Sequence, residues 1–411
     1  MKIYNLIYRP LSNLLGLLLY PIALFNKRLR EHTRLLIPKF GNSLWFHASS
    51  VGEINGLKPF ILKILANYPH ENIIITTMTP TGKQVAQQIS PKLITSLVPF
   101  DSTFYVKRFI TRINPKILVL AETELWLSMI NECAKLKIPI MLSNARLSNR
   151  SYPRYLKHKK IFQPLLRKIE IILAQSALDK ERFENLGANN VIVGGNLKFC
   201  VNLPKYNSLD LRPKYGYNDN DLIITWGSSR PGEEALIINH FLKLQTDFPN
   251  LKLIIVLRHI NRVKEVESLL VSHDYTTFSN FSPGKAILLV DSMGILNQFY
   301  AISDISIVGG SFYNFGGHNP LEPAFYSKPI IIGEFHSSCQ DSVDKLLENQ
   351  GIVVSSSDKL LSDLRFMLEN KNRARTFGDN ANKTLKLHAK ALNNNLKEFD
   401  KIYCQDFTKT D

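Results

Sequence analysis

An acidic side chain stands where an apolar strand pattern gives way to a helical pattern. In the stretch FHASSVGEING (46–56), Glu53 follows a turn of small residues that comes directly after the apolar residues 44–46. One interpretation is helix capping, because acidic side chains stabilise a helix N-terminus. The other is a general base at the mouth of an α/β sheet, where the carboxyl ends of the strands present catalytic groups. The stretch by itself leaves both interpretations open.

Polar stretches also follow other apolar runs of strand length. Since ligands bind beyond the carboxyl ends of the strands in open α/β sheets, these stretches hold the candidate site residues. In the first half of the chain they are HASSVGE (47–53), TTMTPTG (76–82), AETELW (121–126), SNARLS (143–148), AQS (174–176) and GGNLKF (194–199). In the second half they are WGSSRPGEE (226–234), LRH (257–259), DSMG (291–294) and GGSFYNFGGHNPLEP (309–323).

The glycine-rich stretch 309–323 favours a nucleotide-linked ligand. Glycine permits close backbone approach, and the free N–H groups of a helix start, here near Pro320, attract phosphate. DSMG precedes a second predicted helix, 295–302, and Glu322 could accept the hydroxyls of a ribose. Tight turns alone would also explain each glycine cluster. The chain has no GxGxxG after a strand, no GxxxxGK[ST] and no GxSxG, which argues against a dinucleotide enzyme, a P-loop ATPase and a serine hydrolase.

The elements that carry these stretches alternate in the manner of a parallel sheet covered by helices. Between them, 199–221 is polar and turn-rich and predicts a linker, whose Asp-Asn-Asp at 219–221 indicates turn chemistry more than a metal site. Residues 371–406 are predicted to be helical. The predicted strands are 44–48, 73–77, 94–99, 117–121, 138–142, 169–174 and 191–193, then 222–226, 253–257, 286–290, 305–308, 330–332 and 352–354. The sequence therefore predicts an α/β protein with two doubly wound, Rossmann-like domains and a cleft between them.

Composition limits the class of partner. The 411 residues carry 51 Lys and Arg against 35 Asp and Glu, a net charge of +16, which favours an anionic partner such as nucleic acid, a membrane face or a phosphorylated substrate. The four cysteines are far apart, and neither a CxxC pair nor clustered histidines occur. No metal site is therefore predicted, and a reducing, cytoplasmic setting fits best.

The N-terminal stretch predicts membrane association. Residues 3–25 are largely apolar, but the clean apolar run, 14–25, is closer to a dozen residues than to the 20 of a spanning helix. A short or interfacial helix is therefore at least as well supported as a full span, and burial against the protein's own body is the alternative. The basic residues that follow are typical of the cytoplasmic side of a membrane. They are Lys27, Arg28, Arg30, Arg34 and Lys39.

In their order along 45–335, the motifs resemble those of the 3-deoxy-D-manno-octulosonic acid (Kdo) transferases. The strings that carry the resemblance are HASSVGE, TTMTPTG, ETELW, NARLS, GNLKF, RH after a strand, MG and GGHNPLEP. The resemblance implies a GT-B fold divided into a membrane anchor (1–40), an acceptor domain (41–205) and a CMP-Kdo domain with terminal helices (206–411). It implies a metal-independent transfer of Kdo from CMP-Kdo to a lipid A precursor, without a cofactor, at the cytoplasmic side of the inner membrane. Anionic lipid is then a partner and nucleic acid is not.

The resemblance also implies residue roles. Glu53 is expected to be the general base that takes the proton of the acceptor hydroxyl, and Glu122 and Lys198 are expected to stabilise the transition state. CMP is expected to contact a strand-end pair and two loops, namely Leu257, Arg258, Met293, Gly294, Ile295, Asn319, Pro320, Leu321 and Glu322.

Three motifs depart from the family pattern. SMGIL stands for TMGEL, so that Ile295 can contact CMP only through its backbone, and LRHINR stands for PRHPER but keeps Arg258 and His259. SSRPGEE stands for STHEGEE, which puts Arg230 in the position of a histidine. None of these changes removes an expected catalytic group.

Three other classes of protein remain as alternatives. A transferase that uses a UDP-sugar on a lipid or peptidoglycan precursor would share the layout, and so would a sugar-nucleotide epimerase, which would not need an anchor. A basic RNA-binding protein would share the charge, but the chain lacks interleaved aromatic and basic strand motifs.

Overall fold

The computed structural model describes residues 4–33 and 37–407, and these form two compact units with one parallel sheet each. The first unit contains the described residues up to Cys200 together with those from His388 onward, and the second unit is Val201–Leu387. The prediction of two doubly wound α/β domains is confirmed. Arg34, which belongs to the predicted basic flank, lies outside the described residues.

The first unit is built on seven parallel strands in the order β3-β2-β1-β4-β5-β6-β7. Their residues are almost all buried, as expected for strands with helices on both faces. The strands are β1 Ser43–His47, β2 Ile73–Thr77, β3 Ile94–Leu97, β4 Pro115–Ala121, β5 Ile140–Ala145, β6 Ile171–Ala174 and β7 Val191–Val193. Two hydrophobic clusters lie on opposite faces of the sheet, one around Trp45 and Phe109 and the other around Phe46 and Phe60.

Helices of the first unit begin at sequence-coded caps. Ser50, Thr79, Ser102 and Ser176 each accept the N–H of the residue three positions later, which satisfies a free donor at the helix start. The helices are α1 Arg9–Phe25, α2 Lys27–Thr33, α3 Val51–Asn67, α4 Pro80–Ile89, α5 Thr103–Ile113, α6 Leu127–Lys135, α7 Tyr152–Lys157, α8 Lys159–Leu166 and α9 Ala177–Asn185. A π-helical turn, Tyr4–Tyr8, precedes α1, and a 3₁₀ turn, Leu197–Phe199, follows β7.

The second unit repeats the plan with the strand order β10-β11-β9-β8-β12-β13-β14. The strands are β8 Leu222–Ser229, β9 Leu251–Leu257, β10 Tyr275–Thr277, β11 Ile287–Val290, β12 Ile305–Val308, β13 Ile330–Gly333 and β14 Val353–Ser355. The helices are α10 Ser208–Lys214, α11 Glu233–Gln245, α12 Val263–Leu270, α13 Leu296–Ile302, α14 Leu321–Phe325, α15 Gln340–Glu348, α16 Leu360–Glu369 and α17 Lys371–His388. The edge strand β10 is absent from the sequence prediction because its residues, Tyr-Thr-Thr, form no apolar run.

The last helix, α18 (Ala391–Phe407), differs from the predicted domain division. The sequence assigned all of 206–411 to the second domain, but α18 packs in the first unit. Phe399 is fully buried between Phe46 and Phe60, and the hydroxyl of Tyr68 donates to Asp400 across 2.6 Å. The linker pattern marks where the chain leaves the first unit, but nothing local marks its return.

Helix α1 and the π-helical turn before it dock on the first unit by one narrow face. The hydroxyl of Tyr8 donates to the Asp101 carboxylate at 2.7 Å, and the hydroxyl of Tyr105 donates to the carbonyl of Gly16 at 3.1 Å. Most leucines of α1 are exposed. Within 4–33 and 37–407, the stretch Leu6–Phe25 is the one helical segment long and apolar enough to cross a membrane. The predicted membrane association stays a prediction.

Candidate active site

Glu53 stands at the start of α3, beyond the carboxyl end of β1. Its carboxylate accepts the backbone N–H of Ser49 at 2.8 Å and the hydroxyl of Ser50 at 2.7 Å. Ser50 in turn accepts the N–H of Glu53, which makes a reciprocal cap of the helix start. The capping interpretation is therefore correct as geometry, and it holds the carboxylate at the sheet edge where a base would have to stand.

The pKa of Glu53 lies near neutral pH. Burial is the largest cause that raises its pKa, to about 7, and the negative charges of Glu124 and Glu122 add to this. The hydrogen bonds from Ser50 and Ser49 act in the opposite direction. A carboxylate with a pKa near the working pH is suited to take and release a proton.

A second carboxylate, Glu124, stands beside Glu53 and was not among the predicted site residues. The indole N–H of Trp126 donates to it at 2.5 Å, the Ser49 hydroxyl also donates to it, and Nε2 of the buried His47 lies 3.4 Å away. Burial acts to raise the pKa of Glu124, but these partners outweigh it and lower that pKa. Glu124 therefore stays ionised and keeps Glu53 basic. The motif ETELW contains Glu124 as well as the predicted Glu122, so that this motif could have suggested Glu124.

Glu122 and Lys198 form an ion pair at the same sheet edge. Nζ of Lys198 lies 2.9 Å from Oε1 of Glu122, and each side chain is 21% exposed. Glu122 directly follows β4 and adopts a left-handed backbone with φ of +46°, which is uncommon outside glycine. Because the charge of Glu122 acts on Glu53, the structure brings the three predicted catalytic residues into one cluster.

A chain of amides positions Lys198. Oδ1 of Asn196 accepts the N–H of Lys198 at 2.9 Å, and Nδ2 of Asn196 donates to Gln175 at 3.1 Å. Gln175 donates to the carbonyl of Asn144, whose side chain accepts the N–H of Leu197 at 2.9 Å. These contacts join β5, β6 and the 3₁₀ turn, so that Lys198 is held by strand ends of three different motifs.

Gly56 makes room for Lys198 on α3. A methyl group at this position would lie 3.3 Å from Cε of Lys198 and 3.5 Å from Nδ2 of Asn144. We expect Gly56→Ala to displace the ammonium group by a few tenths of an ångström and to lower kcat by about 3- to 10-fold, since small misplacements at a site cost rate steeply. Alanine favours a helix interior by about 1 kcal/mol, so that the melting temperature should not fall. Steady-state kinetics and thermal unfolding check both parts, and a loss of stability together with activity would contradict the assignment.

In the second unit, the two residues of the predicted strand-end pair, Leu257 and Arg258, lie in different surroundings. Leu257 ends β9 and is buried in the core, so that its side chain is committed to packing. Arg258 is exposed, and its N–H donates to the carbonyl of Ser229 at 3.2 Å. Arg258 is therefore the member of the pair whose side chain is free of the core and can meet a ligand.

Positive charge collects around Arg258. Arg230 lies 2.6 Å from Nε2 of His259, and both act on His318 together with Arg258. Burial and then these charges lower the pKa of His318 to about 4, so that its ring stays neutral. Arg230, the departure from the family histidine, adds a permanent cation here. An anionic group is the natural ligand of this cluster.

The buried carboxylate of Glu233 holds the glycine-rich loop 309–318 through hydrogen bonds. Glu233 accepts the N–H groups of Gly310, Ser311 and Phe312 at 2.8–3.0 Å, as well as that of Arg230. Gly310 has φ of +70°, a conformation that favours glycine. Gly310 therefore serves a turn, and ligand binding by this loop stays a prediction. No sequence motif predicts a role for Glu233, the first glutamate of PGEE, which organises the loop.

The predicted CMP loops begin shorter helices than expected. Helix α14 has five residues and α13 has seven, with Pro320 as the residue before α14 and Ile295 before α13. Helices this short offer an anion only a weak dipole, so that Arg258 and Arg230 are the stronger positive groups of this unit's predicted site. Met293 is 56% exposed, and a Cβ added at Gly294 would meet open space.

Asn319 and Glu322 are two further predicted CMP contacts of this unit. Burial raises the pKa of Glu322, although its hydrogen bond with Asn319 and the charge of Arg258 oppose this. Asn319 also accepts the N–H of Leu321 at 3.1 Å, while the Leu321 side chain is buried. In residues 4–33 and 37–407, no three potential metal ligands come together.

Comparisons with known proteins bear on what these two sites do. Residues 24–201 match the family model described as 3-deoxy-D-manno-octulosonic-acid transferase (kdotransferase). A 3-deoxy-D-manno-octulosonic acid transferase of Haemophilus influenzae is 34% identical over 82% of this chain and 81% of its own length. A bifunctional glycosyltransferase/methyltransferase of Fusobacterium nucleatum is 37% identical over 84% of this chain, which spans 56% of that protein.

One solved structure illustrates how widely the fold is shared. UDP-GlcNAc 2-epimerase from Neisseria meningitidis, bound to UDP-GlcNAc, is similar over 90% of this chain and 100% of its own, with a TM-score of 0.52 and 14% identity. At this identity the likeness concerns the fold alone.

Proposed function

This chain belongs to the Kdo transferases, which are glycosyltransferases of lipopolysaccharide biosynthesis, and on that premise we propose that it transfers Kdo from CMP-Kdo to the lipid A precursor lipid IVA with Glu53 as the general base. The observation that carries the proposal is a carboxylate held at a sheet edge with a pKa of about 7, beside the Lys198–Glu122 pair.

The chemistry assigned to the first unit is a proton transfer coupled to displacement. The acceptor hydroxyl gives its proton to the Glu53 carboxylate while its oxygen bonds to the anomeric carbon of Kdo. The bond from that carbon to the CMP phosphate breaks, and CMP leaves with the electron pair. Lys198, oriented by Glu122, offers a cation to the charge that develops.

Donor binding is assigned to the second unit. Arg258 and Arg230 supply fixed positive charge for the CMP phosphate, and the exposed loop at Met293 and Gly294 offers backbone contacts to the nucleotide. Asn319 and Glu322 supply polar groups for the ribose. Leu257 and Ile295 contribute only through their backbones in this assignment.

The acceptor fits the remaining features of the chain. A phosphorylated lipid lies in a membrane, and the exposed leucines of α1 together with the net charge of +16 suit an anionic membrane face. We place the enzyme on the cytoplasmic side of the inner membrane.

The rate should depend on pH through Glu53. The base is active when it is ionised, so that kcat/KM should fall about tenfold per pH unit below a pKa of about 7 and level off above it. A pH–rate profile between pH 5 and 8.5 measures this limb. A kcat/KM that stays constant down to about pH 5 would contradict a base with a raised pKa, because it would show a carboxylate that titrates near its ordinary pKa of about 4.3.

Removing the phosphate-binding cation should weaken donor binding. We expect Arg258→Ala to raise KM for CMP-Kdo by about 10- to 100-fold, because a charge-assisted hydrogen bond contributes roughly 1.5–3 kcal/mol. Arg365→Ala is the matched control, since it removes the same charge from the same unit at a surface ion pair with Asp247. Equal KM values for the two variants would overturn the role of Arg258.

Nucleotide competition tests the proposed donor class. CMP should inhibit transfer and UDP should not. Inhibition by UDP alone would indicate a UDP-sugar enzyme, and tight, salt-sensitive RNA binding without sugar transfer would indicate the RNA-binding alternative.

A further inference from the structure

A cavity of about 650 Å³ lies within the first unit, between the N-terminal helices and the sheet. Its outer wall is formed by Leu11, Leu15 and Leu19 of α1 and by Leu29 of α2. Met78 and Trp126 also line it. The volume is in the range of pockets that hold small ligands, about 300–1,000 Å³.

The polar groups in the cavity wall are already engaged. The Asp101 carboxylate accepts from Tyr8 and from the N–H groups of Ser128 and Met129, and Nδ1 of His32 pairs with the carbonyl of Val98. Ser12, Asn26 and Thr33 bond to neighbouring backbone, and Trp126 bonds to Glu124. The surface that the cavity presents to a ligand is therefore mainly apolar, with few polar groups left to bind it. A peptide strand would leave its N–H and C=O groups without partners there, whereas an alkyl chain has no such groups.

Two residues that line the cavity, Met78 and Trp126, also contact residues next to Glu53. Trp126 donates to Glu124, which acts electrostatically on Glu53, and its ring lies edge-on to His47 at 5.4 Å. Met78 donates its N–H to the carbonyl of Ser49, and Ser49 donates its own N–H to Glu53. The cavity therefore lies next to the candidate active site, with Met78 and Trp126 between the cavity and the residues that hold Glu53.

The outer surroundings combine apolar and basic character. Leu14, Leu17 and Leu18 of α1 are exposed beside the cavity wall, and the neighbouring helix α5 exposes Lys107 and Arg108. An occupant with an alkyl chain and negative charge matches this combination, as in an anionic lipid.

We propose that this cavity, the α1 groove, binds one acyl chain of the lipid acceptor and so sets its hydroxyl at Glu53. The proposal rests on the proposed function, because it concerns the acceptor of that same site. In this arrangement α1 forms part of the acceptor site in addition to resting on the membrane.

A groove-filling substitution tests the proposal. Leu15→Trp fills the groove from α1, while Leu18→Trp makes the same change on the exposed face outside it. The measured quantity is the ratio of kcat/KM for acylated lipid IVA to that for the same acceptor freed of its acyl chains. Leu15→Trp should lower this ratio by at least about tenfold. Keeping only two methylene groups of the acyl chain out of the groove would already weaken binding by that factor. Leu18→Trp should leave the ratio at the wild-type value.

Two results would overturn the proposal that the α1 groove binds an acyl chain. A third result would contradict the proposed function. Equal ratios in the two variants, or a wild-type enzyme indifferent to acylation, would show that the groove holds no acyl chain. If the wild type transfers Kdo to neither acceptor, the proposed function fails instead. In that case fluorescence titration of the full chain with dansylundecanoic acid decides on the groove. Weaker binding by Leu15→Trp alone supports the groove, and equal binding overturns it.

Discussion

Glu53→Gln is expected to lower kcat by about 10²–10⁴-fold, the range for losing a general base, while CMP-Kdo binding remains near that of the wild type. Glutamine keeps the size of the side chain and an oxygen that accepts from Ser49 or Ser50, so that the helix cap survives. The variant should also lose the acid limb of the pH–rate profile. Single-turnover kinetics with saturating donor, together with a donor-binding titration, measures both parts.

A matched cap separates catalysis from helix capping. Asp179 caps α9 in the same way, because it accepts the hydroxyl of Ser176 at 2.5 Å and donates its N–H to Ser176 at 3.1 Å. Asp179→Asn makes the same carboxylate-to-amide change at a helix start, so that it should keep most of the cap, as Glu53→Gln does, and should leave kcat near the wild-type value. If both variants lost the same activity, or if Glu53→Gln turned over normally, capping would be the whole role of Glu53.

Lys198→Met is expected to lower kcat by about 10²–10³-fold, as for other groups that stabilise developing charge. Methionine retains most of the aliphatic stem that packs over Gly56, so that the change is confined largely to the cation. The charge of Glu122 then loses its partner and acts more strongly on Glu53. The acid limb of the pH profile should therefore move to higher pH, an effect that a merely structural lysine would not produce.

The control for this variant is a surface lysine of the same unit. Lys180 pairs loosely with Glu184 at 3.7 Å on α9, and surface pairs of this kind contribute little. Lys180→Met should keep both kcat and the position of the acid limb. A Lys198→Met enzyme with normal kcat and an unmoved limb would exclude Lys198 from the reaction.

Much of the fold could be predicted because its strands are buried on both faces. Buried parallel strands are continuous apolar runs, and thirteen predicted strands correspond to strands of the structure. The fourteenth, β10, is a polar edge strand that pairs with β11. The return of α18 to the first unit depends on the burial of Phe399 among distant side chains, which no local pattern encodes.

The candidate site could be predicted in its parts but not in its connections. Glu53, Glu122 and Lys198 each follow a strand, so that a single rule about strand ends gathers them. The pairing of Glu124 with His47 joins β1 to the loop after β4, and the amides of Asn144 and Gln175 hold the turn of Lys198 across two strands. Such contacts are set by strand order, which periodicity alone does not give.

The most direct measurement is the mass of the lipid product. Purified protein is incubated with CMP-Kdo and lipid IVA in detergent or vesicles, and the lipid is then weighed by mass spectrometry beside a parallel reaction with Glu53→Gln. We predict that the wild type adds one or more Kdo residues and releases CMP, while the variant adds almost none in the same time. A wild-type lipid of unchanged mass, or a variant that adds Kdo as fast as the wild type, would contradict the assignment of Kdo transfer to a base at Glu53.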